Sequence, residues 1–398
     1  GIYGATGMLG NMTDWNPAEM IGPRPHPLSE SLYRALITSG TWRDARDQQG
    51  YHRVPDDELM VALESFAYID IRLSLNSFLP KGLDPVLAEA LVTAQLRRLS
   101  DQPELHDKVE FEVCSTVADF TFLDDIRKRY PDVLSSAQES ELQERLTVLT
   151  AKLVRHGPDS PIVDDMSTIL NFEKVLRDSS SMAPSHAIQT ISYLLSLCRH
   201  YGTLPFAKLA RHGFIAEALW RSAVRRGAIS EDRFLQLKRS VRTIAGDMMD
   251  DLKDAVIHPD NRPAFLERYG HLRPGAYDIL SDRYDKRPEI LFSSIPPDRA
   301  ERVPFQVTPA EKANVGLLLA EANIPINAQD LACYTEQAVA GREYAKFVFT
   351  RAVSHCLELL LEWGHQIGLS AEEINFLAID DILRSHISSA EADRKALS

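Results

Sequence analysis

The chain has 398 residues, 44% hydrophobic and 25% charged, enough to bury a large core as one big domain or as two to three ordinary ones. A formal net charge of −13 makes its surface as a whole a poor match for nucleic acid, while leaving room for a local basic pocket that holds one phosphate. No apolar run approaches the roughly 18 residues that span a bilayer, and no signal peptide is evident; Cys114, Cys198, Cys333 and Cys356 have neither disulfide nor zinc-ribbon spacing, so a cytoplasmic protein without a metal of its own is expected.

The opening stretch "GIYGATGMLG" carries the glycines of a dinucleotide-binding turn without its flanks. Only Gly1, Ile2 and Tyr3 precede Gly4, too few for a buried strand, and Pro17 suits the first turn of a new helix capped by Asn16 or Asp14. An NAD(P)-dependent oxidoreductase would rest on these glycines alone. Further on, "AYIDIRLSL" alternates Ile69, Ile71, Leu73 and Leu75 with Tyr68, Asp70, Arg72 and Ser74, which reads as a strand. Asp84 and Pro85 open a helix over 84–100 with Leu87, Leu91 and Ala94 on one face. "KVEFEVC" sets Val109, Phe111 and Val113 against Glu110 and Glu112 and reads as a second strand. If the two pair, Arg72 meets Glu110 or Glu112; the pairing would be a solvated ion-paired face or the polar wall of a ligand cleft.

Residues 141–156 place Leu142, Leu146, Leu149 and Leu153 on one stripe ending at Gly157 and Pro158. In "SMAPSHAIQTI", His186 resembles a phosphocarrier histidine, but the glycine-rich lead that would hold its phosphate is missing, and an ordinary helix start is the plainer reading. "YGTLPFAKLARHGFIAEAL" puts Lys208, Arg211 and His212 in the first turns of an amphipathic helix, where cations oppose the helix dipole unless an anion or a carboxylate offsets them. Prolines, glycines and turn formers crowd 258–305 and predict a long ordered loop carrying His271, Arg273, Asp278, Arg283 and Asp285. Its arginines either grip a phosphoryl or carboxylate group or pair with Asp278 and Asp285 as staples. "REYAKF" sets Arg342 and Lys346 one turn apart, and Ala345, Phe349, Ala352, Cys356, Leu359, Trp363 and Ile367 trace one face of a long helix. The whole reads as mainly α, a large helical domain with a small antiparallel sheet and the long loop.

Taken in order, "MTDWNPAEMIG", "PHPLSESLYRALI", "YIDIRLSLNSFLP", "KVEFEV", "YGTLPFAKLARHGFIAEAL", "YGHLRPGAYDILSDRY" and "REYAKFVFTR" with "FLAIDDIL" resemble the phosphoenolpyruvate-synthase-like, dikinase-type phosphotransferases of bacteria across nearly the whole chain. The resemblance is nearest to the branch of surface-polysaccharide gene clusters that includes L-glutamine kinase. It implies residues 1–25 as a linker arriving from a nucleotide-binding module and 26–398 as a helical acceptor-binding domain. ATP and Mg²⁺ would belong to that other module, and a phosphohistidine domain would be the second partner. Neither module is in this sequence, so turnover by the chain alone is not expected. The resemblance also implies an acceptor pocket for a small polar metabolite such as L-glutamine or pyruvate. Arg72, Arg211, His271, Arg273, Arg283 and Arg342 would face its anion, and Asp70, Asn76, Glu112 and Asp278 would fix the acceptor, with His271 removing the acceptor proton. The reading from another class is a non-catalytic small-molecule binding or interaction module.

Overall fold

Helix makes up 67% and strand 4% of the computed structural model, which describes residues 1–10, 15–179, 187–294, 296 and 302–384. The mainly α expectation holds, with a small antiparallel sheet.

The first elements are β1 (Leu9–Gly10), α1 (Pro17–Met20), α2 (Pro27–Tyr33), α3 (Thr41–Gln49), β2 (Met60–Leu63), β3 (Phe66–Asp70), α4 (Ile71–Asn76) and α5 (Pro85–Asp101). Then follow α6 (Phe122–Arg129), α7 (Ser136–Leu153), α8 (Pro161–Ser179), α9 (Ala187–Leu197), α10 (Leu204–Arg225) and α11 (Glu231–Ser240). The chain continues through α12 (Ile244–Ile257), α13 (Arg262–Tyr269), α14 (Pro288–Leu291), α15 (Pro309–Glu321), α16 (Ala328–Ile367) and α17 (Ala371–Asn375).

Local chemistry sets several of these ends. Asn16 caps α1 by accepting from the Glu19 N–H, and Asp84 caps α5 by accepting from Val86 and Leu87, each with proline at the first helical position. Asn327 starts α16 with a reciprocal bond to Asp330, and Gly368, at φ 80°, closes it in the left-handed region. At 40 residues α16 is about 60 Å long and forms the pillar of the molecule. Ala345, Phe349, Ala352, Cys356 and Leu359 are buried along it, whereas Ile367 in its last turn is 54% exposed. The helix α10 lies against it where Gly341 lets Leu209 and Met166 approach to van der Waals contact.

The sheet has the order β1-β3-β2, antiparallel throughout, with Met60 opposite Ile69 and Leu63 opposite Phe66. Glu64 and Ser65, at φ 49° and 67°, make the two-residue hairpin turn whose twist suits paired strands. A smaller core gathers α4, α5 and α6 with Leu142 and Leu146 of α7; a larger one surrounds α10 and α16.

Three expectations need correction. The strand read through 67–75 stops at Asp70, whose carboxylate accepts from the Leu73 N–H at 3.0 Å and begins α4. The strand read at 108–114 is a π-helical turn, Val109–Val113, closed by the Cys114 N–H on the Val109 carbonyl at 2.8 Å, so Arg72 has no ladder on which to meet Glu110 or Glu112. The loop read at 258–305 is irregular over 270–283 but helical over 262–269. His186 and Asp14 lie outside the described residues.

Candidate functional site

The N–H of Gly4 answers the dinucleotide question first. It donates to the Glu89 carboxylate at 2.9 Å, and the Gly4 backbone packs on Val92 and Leu96 of α5 at φ 90°. A carboxylate thus sits where a phosphate would have to sit.

A cleft of 520 Å³ opens between α1, α3, α10, α16 and the 109–113 turn. Arg46 comes from α3, Arg211 from α10, and Arg342 and Lys346 from α16, while Glu110 comes from the π turn. Aromatic side chains Trp15, Phe206 and Phe214 supply much of the remaining wall. Arg46 and Arg211 are both buried and share the Phe78 ring, with guanidinium carbons 3.8 and 5.3 Å from its centroid. Arg46 also donates to the Ser77 hydroxyl. Burial, the largest influence, would lower the Arg211 pKa, but the ion pair with Glu110 and the neighbouring Tyr51 together hold the guanidinium above its ordinary value. Arg342 grips Glu343 through two bonds of 3.0 and 2.7 Å. Lys346 is half-buried, and its Nζ meets the Met20 Sδ at 3.9 Å, with no carboxylate in ion-pair range among the described residues. His106 lines the same cleft. Trp15 sits at φ 65°, unusual for a bulky residue, and its carbonyl accepts from the Tyr33 hydroxyl at 2.5 Å.

Two further hollows share walls with the cleft. One of 290 Å³, between α12, the 269–276 segment and α16, has Glu343 and Lys346 in common with it. The other, of 440 Å³, has Glu110 and Phe111 in common with it.

The ten residues expected at the site divide among these places. Arg211 and Arg342 line the cleft; His271 and Arg273 line the 290 Å³ hollow; Glu112 lines the 440 Å³ hollow. Asp70, Arg72, Asn76, Asp278 and Arg283 line none of the three.

Most of the displaced residues have visible work elsewhere. Asp70 caps α4, and the buried Asn76 amide bonds both backbone groups of Tyr3 and the Arg72 carbonyl, tying the N-terminal segment to α4. Asp278 accepts from the Leu280 N–H at 2.9 Å, and Arg283 donates to Asp285 at 3.0 Å, so both close turns of the 270–283 segment. Arg273 donates to Ser354 at 3.1 Å, to the Ser281 carbonyl at 2.7 Å and to Glu358, stapling that segment to α16. The His271 Nε2 faces the Phe347 carbonyl at 3.3 Å; burial, aided by the Arg351 guanidinium, pushes its pKa down to about 3. A ring so buried and so weakly basic is poorly placed to take a proton from an acceptor, which argues against the role expected of it.

Arg46, Trp15 and His106 join the cleft without a sequence signal to single them out, because each comes from a different local segment. Among the described residues no three His, Cys, Asp or Glu side chains gather as a metal-ligand set. No helix among them is long and apolar enough to cross a membrane. Comparison with family models, with curated proteins and with solved structures found no match.

Proposed function

We propose that the chain is the acceptor-binding domain of an ATP-dependent dikinase-type phosphotransferase, taking a small polar acceptor such as L-glutamine or pyruvate to be phosphorylated from a phosphohistidine. The single observation that supports this reading is the cleft in which Arg46, Arg211, Arg342 and Lys346 converge over aromatic walls. Preplaced cations of this kind stabilise the charge that develops on a transferring phosphoryl group. Lys346 and Arg342, partly open to solvent, are the donors for the incoming group, and Arg211, fixed by Glu110, sets the field from the cleft floor. His106 takes the place first given to His271, since it is the imidazole that shares the cleft. ATP and Mg²⁺ belong to the nucleotide module in this reading.

Calorimetric titration with L-glutamine, pyruvate and NADH tests it. Binding of glutamine or pyruvate that weakens about tenfold in Arg342→Gln, a loss of ~1.4 kcal/mol, is the expected result. Heat with NADH alone would replace this reading with an oxidoreductase. The position of His271 outside the cleft favours one rival, a binding module without catalysis. Adding separately expressed nucleotide and carrier modules with ATP separates the two: phosphorylated acceptor in the phosphorus spectrum supports the phosphotransferase, and bound but unmodified acceptor supports the module.

A further inference from the structure

The 290 Å³ hollow beside the cleft is chemically unlike it. Its walls are mainly apolar, including Met248 of α12, Leu272 and Ala276 of the irregular segment and Phe347 of α16. Its volume is close to the lower end of small-molecule sites, which begin at about 300 Å³. The polar groups on its walls are mostly occupied. The Arg273 guanidinium is spent on Glu358, Ser354 and Ser281, and the Glu343 carboxylate on Arg342. His271 is buried and its Nε2 faces the Phe347 carbonyl, so it adds no positive charge near neutral pH. The exceptions are the His271 Nδ1, buried without a hydrogen-bond partner, and Lys346, whose ammonium reaches only the Met20 thioether among the described residues.

We propose that this hollow is a second ligand site, which takes a small monocarboxylate with a compact branched hydrocarbon body, its acid on Lys346 and its body against Met248, Leu272 and Phe347. One uncompensated ammonium balances one negative charge. A phosphate dianion fits less well, because the single unpaired ammonium balances only one of its two charges. An uncharged hydrocarbon would fill the space but leave Lys346 unpaired. The inference shares the Lys346 ammonium with the reading of the larger cleft, whose Met20 wall that ammonium meets, so a guest in the hollow draws on the same cation from the other side of the Glu343–Lys346 wall.

The test uses the full chain and 3-methylbutanoate, with 3-methylbutanamide as the neutral isostere, by calorimetry. Saturable binding of the acid is expected in the millimolar range or below, with the amide about tenfold weaker, or ~1.4 kcal/mol. Ala276→Leu fills the hollow without touching the cleft and should abolish binding of the acid while leaving glutamine or pyruvate binding unchanged. Ala245→Leu, on another wall of the same hollow, serves if Ala276→Leu fails to fold by circular dichroism. Equal binding of acid and amide, absence of saturation, or full binding in both folded leucine variants overturns the proposal. Acid binding lost in folded Ala276→Leu with glutamine or pyruvate binding kept reports on the hollow alone, so failure of one reading is distinguishable from failure of the other.

Discussion

At the scale of single residues, two kinds of buried ionisable group carry opposite lessons. Arg211 and Glu110 form a buried ion pair, and removing one partner leaves the other charge without compensation. Glu110→Gln should therefore destabilise the chain by about 3–5 kcal/mol in urea unfolding, whereas a surface pair such as Arg384 with Asp381 should matter by less than about 1 kcal/mol when broken. A small loss for Glu110→Gln would mean that water reaches the pair. Histidines supply the second lesson. His212, which shares a hydrogen bond of 2.8 Å with the Tyr334 hydroxyl, has its pKa pushed from 6.5 down to about 3 by burial and by the neighbouring Lys208 and Arg211, and His271 falls to about 3 as well. Between those values the unfolded chain binds protons that the folded chain refuses, so the two groups favour folding above pH 6.5 and lose that contribution as pH falls toward 3. Asp165, raised by burial from 3.8 to about 6, acts in the reverse sense over its own window, because the folded carboxyl keeps a proton that the unfolded one releases. His355 is lowered by burial and Asp119 raised by it as well, so three imidazoles outnumber two carboxyls and stability should fall between pH 6.5 and 4, each histidine contributing at most about 1.4 kcal/mol per pH unit. Urea midpoints across that range should fall less steeply in His212→Gln; an unaltered slope would show that His212 titrates alike in both states.

At the scale of elements, close approach explains where glycine matters. A Cβ on Gly202 would lie 2.9 Å from both Phe172 and Phe349, so Gly202→Ala should cost about 1–3 kcal/mol through overpacking. Gly213 sits inside α10 with open space around it, and Gly213→Ala should stabilise by about 0.5–1 kcal/mol. Thermal unfolding of the two variants checks both signs, and equal shifts would mean that α10 and its neighbours are loosely packed. The same closeness shows why some elements were legible in the sequence and others were not. Helices with one buried stripe and chemical ends, such as α5 after Asp84 and Pro85, announce themselves. In α4 nearly every residue is buried, Ile71, Leu73, Ser74, Leu75 and Asn76 alike, so no polar face remains to reveal a period of 3.6 and the alternation of Ile and Leu imitates a strand. The 109–113 turn misleads differently: Val109 and Val113 are buried, a spacing of four, but half-buried Phe111 between them completes a false period of two.

At the scale of the whole molecule, the cleft was only partly legible because it is assembled from distant segments. Arg211 and Arg342 could be singled out on their own helices, but nothing in their spacing brings Arg46 or Trp15 to them, and nothing local shows that Arg273 faces a different hollow. Net charge makes the consequence testable. With −13 overall, an extended polyanion meets repulsion over most of the surface, whereas a small anion needs only the cleft. A ligand that binds the folded state alone stabilises it by RT ln(1 + [L]/Kd), about 2.7 kcal/mol at a hundredfold excess over Kd. Inorganic phosphate should accordingly raise Tm, by less in Lys346→Gln and in Arg342→Gln, and the rise should shrink as sodium chloride is added, since part of the cleft is open to screening. Duplex DNA at equal phosphate concentration should leave Tm where it was. A rise with DNA and none with phosphate would mean that the cations act as an extended face, and the cleft would then have no claim to a small anionic guest.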